Sequence, residues 1–282
     1  MRSAFISLVG RPNVGKSTLL NALIGKKVSI VSNKPQTTRT RVRGILNKDD
    51  AQLVFVDTPG LHKATTALGE RVNATALESM RDVDIVCLLI DATQTFGTGD
   101  KWVSEQLNIK NAIVVINKID RPGARPDWVM DQVFDLFDSL GATDEQLDFP
   151  VVYASGINGW TSLEEGAPGE QWGPDMSALF NTVLKHVPAQ AGDPDAPLQL
   201  QISALDFSTF VGRIGVGRIS QGTIKPMMDV MVMEGPDGSA IKGRVNQVLT
   251  FRGLERVQVT EAGPGDIVLI NGIADLNIGV TV

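Results

Sequence analysis

The stretch Gly10-Arg-Pro-Asn-Val-Gly-Lys-Ser17 decides the fold of the first part of this chain. It fits the pattern G-x-x-x-x-G-K-[ST], follows an apolar run at residues 5–9 and leads into a helical run at residues 17–24. A glycine-rich turn at a helix N-terminus directs backbone N–H groups at phosphate oxygens, and the lysine adds a cation. An ordinary strand-turn-helix corner is the alternative, but the motif in this setting favours phosphate binding. The residues expected to contact phosphates are Gly10, Asn13, Val14, Gly15, Lys16, Ser17 and Thr18.

Short apolar runs alternate with helix-length segments over the first two thirds of the chain. Such runs are typical of strands buried on both faces, and their alternation with helices predicts an α/β fold with a mostly parallel sheet covered on both faces. Apolar residues recur on one face of residues 176–184, which predicts a helix. Residues 158–173 are glycine-rich and are interpreted as an excursion before that helix. The predicted strands are residues 5–9, 53–56, 85–90, 112–116 and 151–154.

The composition changes at residues 188–197, which hold three prolines, a glycine and two aspartates and are interpreted as a linker. Beyond them apolar residues alternate with a period of two, and turn signals separate the runs, which lie at residues 198–203, 213–219, 230–233, 242–249 and 267–270. This pattern predicts a small antiparallel β-barrel. The predicted organisation is therefore a nucleotide domain at residues 1–187, a linker at 188–197 and a barrel at 198–282.

The composition of the chain excludes several classes of protein. It has 282 residues, 43% of them hydrophobic and 21% charged, with a net charge of −6 and one cysteine. These values are typical of folded globular proteins and exclude a disulfide-rich secreted module. The longest strongly apolar run is far shorter than the ~20 residues of a membrane span. We therefore expect a cytoplasmic protein with no membrane segment, with Cys87 in a buried strand and a solvated loop from Lys26 to Lys48.

Two further motifs each follow a predicted strand. Asp57-Thr-Pro-Gly60 places a carboxylate where it can hold Mg²⁺ through water, and the Gly60 N–H can meet a γ-phosphate. Asn117-Lys-Ile-Asp120 places the Asp120 carboxylate where it can accept hydrogen bonds from guanine N1–H and N2–H, which adenine does not offer. Asn117 would brace this loop, and the Lys118 stem would lie along the base. A turn and a hydrophilic loop are the alternatives, which the order of the three motifs disfavours.

These motifs carry a resemblance to the P-loop GTPases. Residues 1 to about 108 resemble the Era family, on the phosphate loop, Gln36-Thr-Thr-Arg39 and Asp57-Thr-Pro-Gly-Leu-His62. Residues from about 109 onward resemble the BipA (TypA) translational GTPases, on residues 116–128, 142–150 and 253–256. The two resemblances meet between Glu105 and Ala112, inside one nucleotide domain, which indicates a hybrid chain.

The resemblance also implies residues that the motifs alone do not give. Thr38 would be a Mg²⁺ ligand and a catalytic residue, with Thr37 as the alternative. Ser155 and Gly156 stand where the family usually has Ser-Ala in the fifth guanine-recognition element, and the glycine is expected to loosen that loop. Some Era-like GTPases use K⁺ beside the phosphate loop, which makes Asn13 a candidate ligand for K⁺; the alternative is that Asn13 only braces the loop by hydrogen-bonding its own backbone.

The implied activity is hydrolysis of GTP to GDP and phosphate with Mg²⁺, with Lys16, Thr38 and Gly60 as catalytic residues and Ser17, Thr38 and Asp57 as metal ligands. Translational GTPases carry a histidine directly after the glycine that corresponds to Gly60, and this histidine orients the attacking water. Leu61 stands there in this chain and cannot orient water, so slow intrinsic hydrolysis is expected. His62 is a weaker candidate for orienting the water. A ribosome or ribosomal RNA is the implied partner, although residues after 187 do not resemble the RNA-binding KH domain of Era proteins. The alternative is a guanine-nucleotide switch or ribosome-binding module that does not hydrolyse GTP.

Overall fold

A computed structural model describes residues 2–31, 42–48, 51–62, 66–81, 83–107, 111–166, 170–187, 192–235, 238, 240–252, 255–274 and 276–282. The chain divides into two compact units. One unit holds Ala4–Leu46 and Val54–Val187, and the other holds Met1–Ser3, Asn47–Leu53 and Pro188–Val282. The predicted domain bounds at residues 187 and 198 stay a prediction. Thr37 and Thr38 lie outside the described residues.

The seven-stranded sheet has the strand order β2-β3-β1-β4-β5-β6-β7. The pairs β1–β4, β4–β5 and β5–β6 are parallel, and β6–β7 is antiparallel. The prediction of a mostly parallel sheet is therefore confirmed. In chain order its strands are β1 (Arg2–Val9), β2 (Val42–Lys48), β3 (Ala51–Asp57), β4 (Ile85–Asp91), β5 (Ala112–Asn117), β6 (Val151–Ser155) and β7 (Trp160–Ser162).

The helices of this part of the chain lie between strands of the sheet, except for α6 (Ser177–His186), which follows β7. The amphipathic helix predicted at residues 176–184 is present as α6, which buries Leu179, Phe180 and Val183. Among the described residues, no helix is long and apolar enough to cross a membrane. The helices are α1 (Lys16–Ile24), α2 (Ala67–Arg81), α3 (Thr98–Ser104), α4 (Pro126–Ser139), α5 (Asp144–Leu147) and α6 (Ser177–His186).

All five strands predicted from apolar runs are found, but the prediction for one segment between them is wrong. The basic stretch from Lys26 to Lys48 was expected to be a loop, yet β2 lies inside it, at the edge of the sheet. An edge strand contacts one neighbour and needs few apolar residues, so its sequence carries little signal. Residues 158–173 likewise contain β7, a three-residue strand that pairs with β6 at the other edge.

Cys87 lies in the middle of β4 and is fully buried. Burial raises the pKa of its thiol to about 12, because the thiolate would lose its hydration. A thiol with that pKa is not a nucleophile near neutral pH. The prediction that Cys87 is a buried strand residue is therefore confirmed.

The second unit is built from antiparallel strands in two sheets, one with the order β13-β12-β14-β9-β8 and one formed by β10 and β11. An ion pair between Arg256 and Asp206, 2.5 Å from Nη2 to Oδ2, joins the two edge strands of the larger sheet. The strands are β8 (Gln199–Ser208), β9 (Gly212–Gln221), β10 (Asp229–Met233), β11 (Ala240–Arg244), β12 (Gln247–Arg252), β13 (Glu255–Gln258) and β14 (Ile267–Asn271).

One strand of this unit differs from its sequence pattern. The alternation from Lys242 onward predicts a single strand, but β11 ends at Arg244 and β12 begins at Gln247. The Val245 N–H donates to the Met228 carbonyl, and the Asn246 N–H donates to the Asn271 carbonyl, each at 2.9 Å. The backbone therefore changes its partner strand between these residues while the apolar alternation continues.

Candidate functional site

A cavity of about 480 Å³ opens beyond the carboxyl ends of β1, β3, β5 and β6. Ligands of α/β proteins bind at this edge of the sheet, where the loops after neighbouring strands meet. Its lining residues come from all three predicted motifs, from the loop after β6 and from the segment after α1. They are Pro12, Asn13, Gly15, Lys16, Ser17, Thr18, Ile30, Val31, Thr58, Gly60, Asn117, Lys118, Asp120, Arg121, Gly156 and Ile157.

The structure therefore brings most of the predicted site residues to one cavity. Four others lie behind its wall: Gly10, Val14, Asp57 and Ser155, of which Asp57 and Ser155 are fully buried. Thr38, predicted as a metal ligand and catalytic residue, lies outside the described residues.

The loop between β1 and α1 has the backbone that its glycines permit. Gly10 and Gly15 have φ angles of 152° and 103°, and Asn13 lies in the left-handed region at 65°. A Cβ atom at Gly10 would lie 2.5 Å from the Leu89 carbonyl oxygen, and one at Gly15 would lie 2.3 Å from Asn117 Nδ2. These positions exclude any side chain, because both the space and the dihedral angle require glycine.

Lys16 is the buried cation of this loop and is only 6% exposed. Its ammonium donates to the carbonyls of Gly10 at 3.0 Å and Arg11 at 2.8 Å. Burial lowers the pKa of Lys16 to about 8, and the charge of Asp57 only partly opposes this shift. An anion in the cavity would favour the protonated lysine, so this residue is suited to binding phosphate.

Ser17 and Asp57 place two side-chain oxygen atoms together at the start of α1 and the end of β3. Ser17 Oγ donates to Asp57 Oδ2 at 2.6 Å. Within the described ranges, no three His, Cys, Asp or Glu side chains cluster as a metal cage. Mg²⁺ prefers this kind of site, since it commonly takes one or two protein oxygens and completes its shell with phosphates and water. The residues present therefore fit Mg²⁺ held together with a phosphate ligand.

Asn117 and Lys118 tie the loop after β5 to the phosphate loop. Asn117, 2% exposed, donates from Nδ2 to the Val14 carbonyl at 2.8 Å and accepts at Oδ1 from the Gly156 N–H at 3.1 Å. The Lys118 ammonium donates to the Asn13 carbonyl at 2.6 Å and to Asp91 Oδ2 at 2.5 Å. Three loops after three strands are thus held together by side chains of one motif.

The Asp120 carboxylate is the acceptor at the end of this motif and lies on the cavity wall. Its Oδ1 atom is buried and has no hydrogen-bond partner among the described residues. Buried acceptors are nearly always paired in folded proteins, so an unpaired one on a cavity wall indicates a place for a donor from a ligand. The N1–H and N2–H groups of guanine are donors of the kind this position needs.

The two residues after Gly60 are Leu61 and His62, and the side chain of Leu61 cannot orient a water molecule. Leu61 is fully buried in the hydrophobic core, and its N–H donates to the Gly10 carbonyl at 3.1 Å. The His62 ring lies 3.3 Å from the Gly60 carbonyl through Nδ1, and Asn73 donates from Nδ2 to the His62 carbonyl at 2.6 Å. The residue directly after Gly60 is therefore an apolar core residue, which cannot hydrogen-bond to water.

Sequence reasoning did not find several residues at the site. Ile30 and Ile157, each 68% exposed, line the cavity together with Val31. Exposed isoleucines in the same cavity as Asp120 suit the flat, apolar face of a base. An apolar pair inside a basic stretch was the available signal for Ile30 and Val31, whereas nothing in the sequence marks Ser29, which contacts Asp57.

Two family models match this chain. Residues 5–118 match the model described as 50S ribosome-binding GTPase, and residues 212–282 match that of elongation factor Tu domain 2. The predicted combination of a P-loop GTPase domain with a translation-factor barrel is therefore confirmed. The match of its two parts to different models is consistent with a hybrid chain.

Curated relatives include the large ribosomal subunit assembly factor BipA of Haemophilus influenzae, 40% identical over 295 residues, and that of Bacillus subtilis, 38% identical over 294 residues. Each alignment covers 98% of this chain and 46% of the relative, so the chain spans about half the length of the curated relatives it matches.

Two solved structures show which folds the chain shares. Era in complex with MgGDPNP and nucleotides 1506–1542 of 16S ribosomal RNA has a TM-score of 0.54 at 29% identity, over 74% of this chain and 75% of that chain. The bacterial selenocysteine-specific elongation factor EF-Sec has a TM-score of 0.66 at 15% identity, over 100% of this chain and 45% of that chain. The second likeness concerns the fold alone.

Proposed function

We propose that this chain, which combines a P-loop GTPase domain with a domain of the elongation factor Tu domain 2 type, binds GTP and GDP and hydrolyses GTP to GDP and phosphate. The observation that carries the proposal is that residues of the phosphate loop, the 57–60 motif and the 117–120 motif line one cavity, with Asp57 hydrogen-bonded to Ser17 of that lining. Each supplies one feature that a guanine nucleotide requires: a cation for phosphate, oxygen ligands for Mg²⁺ and an acceptor for guanine.

Different residues of the cavity would bind the phosphates, Mg²⁺ and the guanine base. Lys16 would neutralise the charge of the β- and γ-phosphates, and the Gly60 N–H would contact the γ-phosphate. Ser17 and Asp57 would hold Mg²⁺, together with Thr38 by resemblance. Bound Mg²⁺ would neutralise part of the negative charge of the phosphates. Asp120 would select guanine, while Asn117, Lys118 and the Ser155-Gly156 turn would position it.

A ribosomal partner is part of this proposal. Support comes from the names of the BipA relatives and from the RNA in the Era complex, both of which describe those proteins. The barrel is proposed as the docking surface, with basic residues as contacts. Most of these basic residues already form ion pairs or hydrogen bonds with other residues of the protein. Lys225, for example, pairs with Glu261 at 3.3 Å, and Arg213 donates to the Leu276 carbonyl at 2.9 Å. Lys242 and Arg252 are exposed and are the contacts we expect.

The burial of Leu61 favours a second candidate, a guanine-nucleotide switch that does not hydrolyse GTP by itself. The two functions separate in one experiment on the purified chain. Binding of fluorescent GDP is measured first, and phosphate release is then followed in excess GTP and Mg²⁺ against a Lys16→Ala control. Release that exceeds the control supports the GTPase, whereas binding with release equal to the control supports the switch. A folded chain that binds neither nucleotide refutes both.

A further inference from the structure

Ser29 contacts the carboxylate that is expected to hold Mg²⁺. Its Oγ donates to Asp57 Oδ2 at 2.7 Å, beside the 2.6 Å hydrogen bond from Ser17 Oγ to the same oxygen. Ser29 is 3% exposed and Asp57 is fully buried, so water does not compete for this hydrogen bond. Two hydroxyl donors on one oxygen fix the orientation of the carboxylate more tightly than Ser17 alone.

Asn21 in turn fixes Ser29. Asn21 Oδ1 accepts from the backbone N–H groups of Val28 and Ser29, each at 2.8 Å, and its Nδ2 donates to the Ser29 carbonyl at 2.9 Å. All the polar atoms of this side chain therefore bind the turn that carries Ser29. Helix α1 thus supplies Ser17 to the metal site directly and, through Asn21, a second hydroxyl.

We propose that Ser29 is a positioning residue for the Mg²⁺ site, in which its hydroxyl orients Asp57 and Asn21 holds Ser29 in place. The inference rests on the proposed function, because it assumes that Asp57 serves Mg²⁺ beside a nucleotide. Ser29 touches neither the metal nor the phosphates in this role. Groups that orient a metal-binding carboxylate typically change metal affinity roughly 10–100-fold when they are removed.

The test measures how strongly Mg²⁺ retains bound nucleotide. The full chain is loaded with fluorescent GDP, and the dissociation rate is followed over a series of Mg²⁺ concentrations and in EDTA. We expect Ser29→Ala to raise the Mg²⁺ concentration for half-maximal retention about tenfold. The dissociation rate in EDTA should stay equal to that of the wild type, since the residue acts only through the metal.

Two further variants make the test specific. Ser104→Ala is the matched control: Ser104 is 1% exposed, and its hydroxyl has no hydrogen-bond partner among the described residues, so its Mg²⁺ midpoint should equal that of the wild type. Asn21→Ala should shift the midpoint in the same direction as Ser29→Ala. The double variant should be no worse than the larger single shift, because the two residues act in series.

Four results would overturn the proposal. Ser29→Ala could leave the Mg²⁺ midpoint unchanged, or it could speed dissociation equally in EDTA, which would indicate a general packing role. Additive shifts in the double variant would show that Asn21 does not act through Ser29. A wild-type chain that retains no GDP at any Mg²⁺ concentration refutes the proposed function and this inference together, whereas retention without a Ser29 effect refutes only the inference.

Discussion

Asn117→Ala tests whether the loop that would bind guanine is held in place by the phosphate loop. The substitution removes both hydrogen bonds of a side chain that is 2% exposed, one to the Val14 carbonyl and one from the Gly156 N–H. Each buried group left without a partner costs roughly 1–3 kcal/mol. We therefore expect the free energy of unfolding to fall by about 3 kcal/mol, which lowers the melting temperature by roughly 6–12 °C.

The assay compares thermal unfolding and nucleotide titrations of Asn117→Ala with those of Asn111→Ala, an exposed asparagine just before the same strand. The control should behave like the wild type. Asn117→Ala should weaken GDP and xanthosine diphosphate about 10–100-fold each, since an affinity loss of 1.4 kcal/mol is tenfold. A loss of stability below about 0.5 kcal/mol, or a changed preference between the two nucleotides, would refute the bracing role.

Three other predictions concern single residues of the cavity. Asp120→Asn should reverse the preference from GDP to xanthosine diphosphate in a competition titration, because an amide can donate to the 2-oxo group of xanthine; equal competition of GTP and ATP for the wild type would contradict this. Because burial lowers the pKa of Lys16 to about 8 and phosphates bind the protonated form, GDP affinity should fall as the pH rises through that value. Lys16→Arg, which stays charged, should flatten that dependence, and a wild-type titration that is itself flat would refute the assignment. Phosphate release should be faster in K⁺ than in Na⁺ at equal ionic strength and lose this difference in Asn13→Ala, whereas equal wild-type rates would discard K⁺.

Regular patterns made the centre of the fold predictable. Strands such as β4 and β5 are buried on both faces, so their residues are apolar without interruption and their existence follows from the sequence. β2 and β7 lie at the edges, where one neighbour suffices, and their patterns are weak. The turn between β11 and β12 was missed because the apolar alternation continues through it while the hydrogen-bond partners change.

The residues of the candidate site likewise divide into those that the sequence predicts and those that it does not. Gly15, Lys16 and Asp120 were predicted because phosphate and guanine each demand a particular residue type at a particular spacing. Ser29 and Ile157 were missed because their roles depend on neighbours brought together only by the fold. A serine 28 residues before Asp57 has no local feature that indicates a contact with it.

The hydrogen bonds of Asn117 and Lys118 have a consequence for the release of a nucleotide. Lys118 donates to the Asn13 carbonyl and Asn117 to the Val14 carbonyl, so the loop under the base is attached to the loop around the phosphates. If a partner protein moves residues 13–14 away, the loop under the base loses these two hydrogen bonds at the same time. An exchange factor would then need to contact the phosphate loop alone. The whole nucleotide would dissociate although the exchange factor makes no contact with the guanine.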